Sequence, residues 1–287
     1  MKDIVIIGAG RLGASLGRAL AEAGIPVKAV ADLKLESARR TGRLFPGCRA
    51  TNDNLEAARL GQAFFLCVPD SALGPVAVEL SGSGLDWGGK IIIHCSGLLD
   101  SGVLAPLRRR DALTASSHPA RSFPDKPVRR AFRGVSVAIE GQARAATWVR
   151  TVFLRLGAKP LALRAEQKPL YHTACALASN DLVVLLDMAL ELLRAAGFSE
   201  KRAWELIEPL VQGTLHNVNK LGTAAALTGP LVRGDAETVA RHLDVLKRFP
   251  QARKAHLELS RGALALLERS GVPPETIRAW KHRLGQK

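Results

Sequence analysis

The 287-residue sequence predicts an α/β protein: a doubly wound, mostly parallel Rossmann-type sheet followed by an all-α C-terminal domain. Short apolar runs, such as residues 4–7 and 63–68, alternate with amphipathic segments in the first part of the chain, which is typical of βαβ units. After that part only helical patterns remain. We therefore expect two domains, 1–165 and 166–287, and the chain length also favours two.

The turn after the first strand carries a glycine motif. Residues 4–7 form an unbroken apolar run, as expected for a strand buried on both faces of a parallel sheet. Gly8, Gly10 and Gly13 follow at the spacing G-x-G-x-x-G, which permits a tight turn, close approach of a pyrophosphate and close helix packing. Free N–H groups at the start of that helix favour a phosphate. With Asp32 closing the second strand, the segment predicts a dinucleotide-binding unit.

The residues after the second strand give conflicting predictions about which cofactor binds. Asp32 can accept a hydrogen bond from the ribose 2′-OH of NAD and would repel the 2′-phosphate of NADP. Lys34, Arg39 and Arg40 follow closely and could hold that phosphate instead. The alternative for the two arginines is a solvated helix face. The sequence thus predicts NAD or NADP as the cofactor, and Asp32 favours NAD.

Further cofactor contacts are expected on either side of the glycine turn. Arg11 and Leu12 begin the helix that follows it. Val68 and Pro69 come after the next buried strand, at the edge where parallel strands border a ligand. Asp70 and Ser71 follow them, and either can cap the next helix; for Asp70 we expect this role rather than one in catalysis.

Polar side chains follow two later strands. The strand at 90–93 leads into His94 and Ser96, and a strand at 112–115 leads towards His118. Side chains at such strand ends are placed to meet a ligand. We expect Ser96 to contact the substrate or the nicotinamide amide. His94 is expected either to contact the substrate or to bond a backbone carbonyl.

The helical domain supplies the remaining expected ligands. Residues 170–196 contain no glycine or proline and predict one long helix. His172, Ser179 and Asn180 stand at i, i+7 and i+8, on one face of that helix. They are expected either to face a ligand or to pair with other helices. Arg233, between glycines, is expected to bind a carboxylate or to pair with a nearby acid.

The composition limits the classes of function. The chain has 41 Lys and Arg against 26 Asp and Glu, a formal net charge of +15. Because the basic residues are scattered and only 5% of residues are aromatic, we expect no nucleic-acid partner but a field that attracts anionic ligands. No apolar run suits a membrane span. Four widely spaced cysteines predict no metal site and a cytoplasmic protein.

Six segments carry a resemblance to a known family: GAGRLGASLG, FLCVPDSAL, IIHCSG, SSHPARSF, YHTACALASN and LTGPLVRGD. With them the chain resembles bacterial proteins assigned as oxidoreductases, which join a Rossmann-like domain to a helical C-terminal domain of undefined function. It is more distantly similar to ketopantoate reductases, pyrroline-5-carboxylate reductases, prephenate dehydrogenases and β-hydroxyacid dehydrogenases. His172 stands where ketopantoate reductases carry a catalytic lysine, and Lys168 does not match the lysine of β-hydroxyacid dehydrogenases. The resemblance thus implies a fold and a cofactor but no substrate.

Together these features predict an NAD(P)-dependent oxidoreductase whose site lies between the two domains. The substrate is expected to be a small carboxylate-bearing molecule, either a keto or hydroxy acid or an imine or amine. His172 is the first candidate for the proton donor, because an imidazole titrates near neutral pH. The expected catalytic side chains are His172, Asn180, His118 and Ser96. The expected substrate contacts are Arg233, Ser179 and His94.

Two alternatives remain open. The missing lysine motivates a non-catalytic dinucleotide-binding sensor or scaffold, and the basic first domain motivates nucleic-acid binding. In either case the helical domain has apolar residues on more than one side of the segment 182–193, so we expect a homodimer formed through the C-terminal helices.

Overall fold

The computed structural model describes residues 2–285, and the chain divides after Leu177 into two compact units. Within the described residues, the first unit holds an eight-stranded sheet. Its strands are β1 (Ile4–Ile7), β2 (Val27–Ala31), β3 (Arg49–Thr51), β4 (Ala63–Leu66), β5 (Ile91–His94), β6 (Leu113–Pro119), β7 (Ser136–Gly141) and β8 (Lys159–Ala162). Its helices are α1 (Arg11–Glu22), α2 (Leu35–Gly42), α3 (Asn54–Ala58), α4 (Asp70–Ser81), α5 (Ala105–Arg108), α6 (Ala143–Arg155) and α7 (Lys168–Ala176).

The order of the strands confirms the predicted fold class. Across the sheet the order is β3-β2-β1-β4-β5-β6-β7-β8. Neighbouring strands are parallel except β6 and β7, which pair antiparallel. The order reverses between β1 and β4, and ligands of doubly wound sheets bind at such a reversal, beside the carboxyl ends of the strands.

The apolar runs explain why both faces of the sheet are covered. In β1, Ile4 and Ile6 pack into one hydrophobic cluster, whereas Val5 and Ile7 pack into a second. Successive side chains of a strand point to opposite faces, so an unbroken apolar run must be buried on both sides. All four residues of β4 are buried as well. The strands β1 and β4 are therefore packed on both faces up to the carboxyl edge of the sheet.

Two strands differ from the sequence prediction. β3 has no counterpart in it, because its three residues form no apolar run. β6 continues to Pro119, beyond the predicted end at residue 115, because β7 supplies an antiparallel partner that pairs Pro119 with Val137. His118 consequently lies inside a strand, opposite Ala138, and not beyond the end of a strand as expected.

The second unit is helical throughout its described residues, as expected. Its helices are α8 (Leu182–Ala195), α9 (Glu200–Ala226), α10 (Pro230–Arg233), α11 (Ala236–Val245), α12 (Pro250–Arg269) and α13 (Pro274–Arg283). Leu264, Leu267, Ile277 and Trp280 are at the centre of its core. Among residues 2–285, no helix has both the length and the apolar character needed to cross a bilayer.

The long helix predicted over 170–196 is interrupted. α7 is followed by a π-helical turn at Leu177–Asp181, and α8 begins after it. A π turn holds more residues than an α turn. Ser179 and Asn180 lie within this turn, so they do not keep the α-helical spacing on which their predicted common face with His172 depends.

Candidate functional site

The glycine turn is shaped by two close backbone approaches. Gly8 has φ +94°, and a Cβ there would lie 2.6 Å from Cys67 O. A Cβ on Gly13 would overlap Gly8 O. At Gly10, by contrast, a Cβ would meet no atom within 4 Å. The turn therefore packs tightly against the sheet at two glycines and leaves open space above the third.

The start of α1 fits an anionic ligand. Gly10 is the N-cap of this helix, and no side chain caps it. Uncapped N–H groups at a helix N-terminus bind phosphates well, because the helix dipole adds to their hydrogen bonds. Arg11 is exposed there and pairs with Asp125 at 2.5 Å, while Leu12 is half-buried. The residues present thus fit the pyrophosphate of a dinucleotide.

Asp32 closes β2 with its carboxylate held in place. Oδ2 accepts a hydrogen bond from the Ala9 N–H at 2.6 Å, and Oδ1 accepts one from the Lys34 N–H at 2.8 Å. The side chain therefore links the glycine turn to the start of α2. Val68 is half-buried and Pro69 is exposed after β4, the strand beside β1, at the same carboxyl edge.

Ser96 closes a tight turn after β5. Its Oγ donates to Asp70 Oδ2 at 2.8 Å and accepts from the Leu98 and Leu99 N–H groups at 3.1 and 2.9 Å. A hydroxyl has one donor and two acceptor positions, so Ser96 has no capacity left for a substrate. The predicted substrate contact of Ser96 does not fit this geometry. The predicted Asp70 cap is wrong, because Pro69 is the N-cap of α4 and no side chain caps that helix.

His94 is fully buried, with 0% exposure. Its Nδ1 accepts from the Ser96 N–H at 3.2 Å, and its Nε2 lies 3.0 Å from Asp100 O. Burial, followed by the charge of Lys168, lowers the pKa of His94 to about 4. The neutral ring therefore bonds backbone atoms through both nitrogens. Of the two predicted roles for His94, the structure matches the backbone contact and not the substrate contact.

Lys168 was not among the predicted site residues, yet its side chain is only 1% exposed. Its Nζ donates to Ser96 O at 2.9 Å and to Ser116 Oγ. Burial lowers the pKa of this amine, and the charges of Glu140 and Asp100 oppose that shift. Lys168 thus fastens the first turn of α7 to the turn after β5 and to Ser116 in the middle of β6.

The rings of His118, Tyr171 and His172 lie close together near this lysine, and Gly97 contacts two of them. We call these four residues the ring cluster. His118 Nδ1 lies 2.9 Å from the Tyr171 hydroxyl, and the His118 and His172 rings are 5.7 Å apart at 79°. A Cβ on Gly97 would overlap His172 Cδ2 and lie 2.9 Å from His118 Nε2. The structure therefore brings together the two histidines predicted as proton donors, and it adds Tyr171.

The environment keeps the cluster uncharged at His118 and Tyr171. Burial lowers the pKa of His118 to about 4, with further contributions from His172 and Lys168. Burial also raises the pKa of the Tyr171 hydroxyl. Both side chains are therefore neutral near pH 7. One sequence pattern could have indicated these residues. Lys168, Tyr171 and His172 stand at i, i+3 and i+4, a spacing that places three side chains on one face of a helix.

The other predicted ligands belong to the second unit. Ser179 and Asn180 are exposed in the π-helical turn. Arg233 is exposed at the last position of α10, between Gly229 at φ +99° and Gly234 at φ +73°. Among the described residues, no group of His, Cys, Asp and Glu is arranged to hold a metal ion.

Two family models match the chain. Residues 2–119 match a Rossmann-like domain. Residues 135–263 match a domain of unknown function, DUF2520. No curated protein matches the sequence.

Several solved structures have the same fold. One is a candidate NADP oxidoreductase from Bacteroides fragilis, BF3122, with 22% identity and a TM-score of 0.76 over 91% of this chain and 97% of that chain. A reductive aminase from Aspergillus terreus in complex with NADPH and ethyl-5-oxohexanoate has 15% identity and a TM-score of 0.62, covering 99% and 93%. A pyrroline-5-carboxylate reductase from Coxiella burnetii has 14% identity and a TM-score of 0.58, covering 89% and 96%. The resemblance in sequence is thus confirmed: this chain joins a Rossmann-like domain to the domain of unknown function DUF2520.

Proposed function

We propose that the protein is an NAD(P)-dependent oxidoreductase that reduces a carbonyl or imine carbon of a small carboxylate-bearing substrate. The observation that carries the proposal is the ring cluster, which lies at the carboxyl edge of the sheet that also carries the uncapped glycine turn. Two imidazoles on the same sheet edge as a dinucleotide-binding turn suit reduction, which needs a proton donor next to the cofactor. The names of the reductive aminase and the pyrroline-5-carboxylate reductase support the same class of reaction.

The residues of the first unit have separate tasks in this proposal. When bound, the nicotinamide cofactor supplies the hydride equivalent. The N–H groups at the start of α1 hold the pyrophosphate, and Asp32 receives the adenosine ribose. Gly97 has no side chain, so the two imidazoles lie against the backbone at the end of β5.

His172 is the proposed proton donor to the oxygen or nitrogen of the substrate. His118 stays neutral because its pKa is about 4, which makes it a poor acid near pH 7. In the tautomer that this proposal assigns, the Tyr171 hydroxyl donates to His118 Nδ1, 2.9 Å away, and the proton of His118 lies on Nε2, the nitrogen nearest Gly97. His118 and Tyr171 are therefore assigned to orient His172, and Lys168 to hold β6 and the turn after β5 in place.

The second unit is assigned the substrate carboxylate. Arg233 is exposed, and its guanidinium group can donate two parallel hydrogen bonds to the two oxygens of a carboxylate. Asn180 and Ser179 are assigned hydrogen bonds to the substrate. These three assignments rest on residue type and exposure.

Replacing His172 tests the proposal. The protein is first titrated with NADH and with NADPH, and then assayed for consumption of the bound cofactor with keto acids and cyclic imines. We expect His172→Ala to lower turnover by roughly 100- to 10,000-fold while cofactor affinity stays the same. The control is His282→Ala, which removes an exposed histidine from α13.

Two results would count against these roles. Unchanged turnover in His172→Ala removes His172 from the mechanism. Tight cofactor binding without turnover of any acid or imine favours the non-catalytic sensor instead.

We also propose that the protein is a homodimer formed through its C-terminal helices. No residue of α8 is buried, and Val183 is 65% exposed and Leu210 of α9 is 68% exposed. Apolar helix faces of this kind mark contact surfaces. Light scattering at micromolar concentration is expected to give twice the chain mass, and a monomeric mass would contradict the dimer.

A further inference from the structure

Two of the four cysteines lie side by side at the carboxyl edge of the sheet. Cys67 directly follows β4 and Cys95 directly follows β5, and their sulfur atoms are 3.8 Å apart. The two strands are parallel and pair Leu66 with His94, and the Cys95 N–H continues this pairing by donating to Leu66 O at 3.2 Å. The two cysteines are therefore opposite each other, and both side chains lie on the same face of the sheet, against one hydrophobic cluster.

The position of the two cysteines suits a disulfide. Neighbouring strands of a sheet lie about 4.8 Å apart, and disulfides join residues whose Cα atoms are about 4.4 to 6.8 Å apart. From their separation of 3.8 Å, the sulfur atoms need to approach by about 1.8 Å to form a bond. The bond therefore forms only with a shift of side chains or backbone at the ends of β4 and β5.

The glycine turn lies directly against Cys67. The Cys67 N–H donates to Ile7 O at 2.7 Å. A Cβ on Gly8 would lie 2.6 Å from Cys67 O, and a Cβ on Gly13 would lie 3.2 Å from Cys67 Cβ. Because close-packed atoms transmit a displacement, a shift of Cys67 moves the turn whose uncapped N–H groups are assigned the pyrophosphate.

The two thiols differ in how easily a reagent reaches them. Cys67 is half-buried, whereas Cys95 is only 7% exposed, so a reagent from solution meets Cys67 first. The neighbouring Cys95 thiol, followed by burial, raises the pKa of Cys67 well above its ordinary value. Because the thiolate is the attacking form, we expect the reaction to be slow at neutral pH and faster as the pH rises.

We propose that Cys67 and Cys95 form a reversible disulfide that displaces the glycine turn and weakens dinucleotide binding. The oxidant is a low-molecular-weight disulfide. The Cys67 thiolate attacks one of its sulfur atoms and releases one small thiol, and the Cys95 thiolate then attacks Cys67 Sγ and releases the second. The two cysteines lose two hydrogen atoms and the small disulfide gains them. The effect on binding rests on the proposed function, whereas formation of the bond does not.

The bond is tested by treating the full chain with oxidised glutathione at about pH 8.5, near the ordinary pKa of a thiol. Peptide mapping by mass spectrometry is expected to find the peptides of Cys67 and Cys95 linked, about 2 Da below the sum of the two reduced peptides. Dithiothreitol is expected to separate them. A chain in which Cys67 stays reduced, or only carries glutathione, overturns the proposal.

Serine variants locate the bond. Cys67→Ser and Cys95→Ser are each expected to abolish the linked peptide. Cys48→Ser is the matched control, because Cys48 is also half-buried and burial raises its pKa to about 11. Cys48 precedes β3, which stands three positions from β4 in the sheet. The control is expected to form the bond as the parent chain does, and a linked peptide that contains Cys48 would contradict the assignment.

Titrations of NADH and of NADPH then measure the effect on the turn. The oxidised chain is expected to bind its cofactor at least about fivefold more weakly than the reduced chain. Dithiothreitol is expected to restore the affinity, and the same treatment of Cys95→Ser is expected to cause no loss. Equal affinities of the oxidised and reduced chains overturn the inference and leave the proposed function standing. If the reduced chain binds neither cofactor, the proposed function fails, while peptide mapping still decides whether the bond forms.

Discussion

The two compact units differ in how completely they bury their apolar side chains. In the sheet unit every residue of β1 and β4 is buried. In the helical unit α8 has no buried residue, and the 27-residue α9 has two, Ala203 and Ile207. A parallel sheet covers both of its faces with its own crossover helices, whereas the apolar face of a helix needs a separate partner. The strands β1 and β4 are therefore fully covered within the sheet unit, whereas α8 and most of α9 leave apolar side chains exposed.

Matched truncations in the two units test this comparison and have the largest expected effect on stability. Phe64 is fully buried in β4 and packs 5.4 Å from the Trp87 ring. We expect Phe64→Ala to lower the free energy of unfolding by about 3–5 kcal/mol. Leu210→Ala is expected to change it by about 0.5 kcal/mol or less in the dissociated chain. Urea unfolding of dilute protein measures both, and equal losses would contradict the comparison.

The pH dependence of stability sharpens the same comparison. Burial holds the pKa of His94 and His118 at about 4 in the folded protein, against about 6.5 in an unfolded chain. Between these values the unfolded state binds more protons, so stability is highest above pH 6.5 and falls as the pH drops towards 4. For His94 the loss is on the order of 3 kcal/mol. In the helical unit, burial also lowers the pKa of His256, followed by the charge of His242.

Unfolding free energies measured at several pH values between 4 and 6.5 check whether stability falls as the pH drops. We expect His94→Gln to flatten the slope, because it removes a buried titrating ring. An unchanged slope would show that His94 is protonated equally in the folded and unfolded states.

Helix caps have the smallest expected effect and are expected to be similar in both units. Asp53 caps α3 in the sheet unit, and Asp235 caps α11 in the helical unit by accepting from the Thr238 N–H at 3.0 Å. We expect Asp53→Ala and Asp235→Ala each to cost about 1 kcal/mol, because both caps are local. Thermal unfolding compares the two variants. A far larger cost for Asp235→Ala would mean that the helical unit relies on its caps in place of a core.

The sheet and its cofactor turn were predictable from local patterns. Unbroken apolar runs predict strands buried on both faces, and the spacing of Gly8, Gly10 and Gly13 predicts the turn between the first strand and α1. The Asp235 cap also follows from local sequence, since an acid before an amphipathic run favours a helix start. Each of these features depends on residues only a few positions apart.

The parts that escaped prediction depend on distant pairings. Lys168 bonds Ser96 and Ser116, which are 72 and 52 residues away, so the pattern around position 168 contains no sign of them. The extension of β6 requires β7 as a partner. The saturated hydroxyl of Ser96 requires the Asp70 carboxylate, 26 residues away. Ser96 is polar at a strand end, as a ligand contact would be, but its bonds are all internal.

Gly97 limits which amino-acid substitutions this protein can accept near its candidate site. A single added methyl group at this position would meet both His172 and His118, so even alanine, the smallest replacement, requires these imidazoles to move away from the backbone at residue 97. Random mutagenesis with selection for activity should therefore recover substitutions at open positions such as Gly74 or Gly213 far more often than at Gly97. Any lineage that replaced this glycine would have to rebuild the spacing of both rings at the same time.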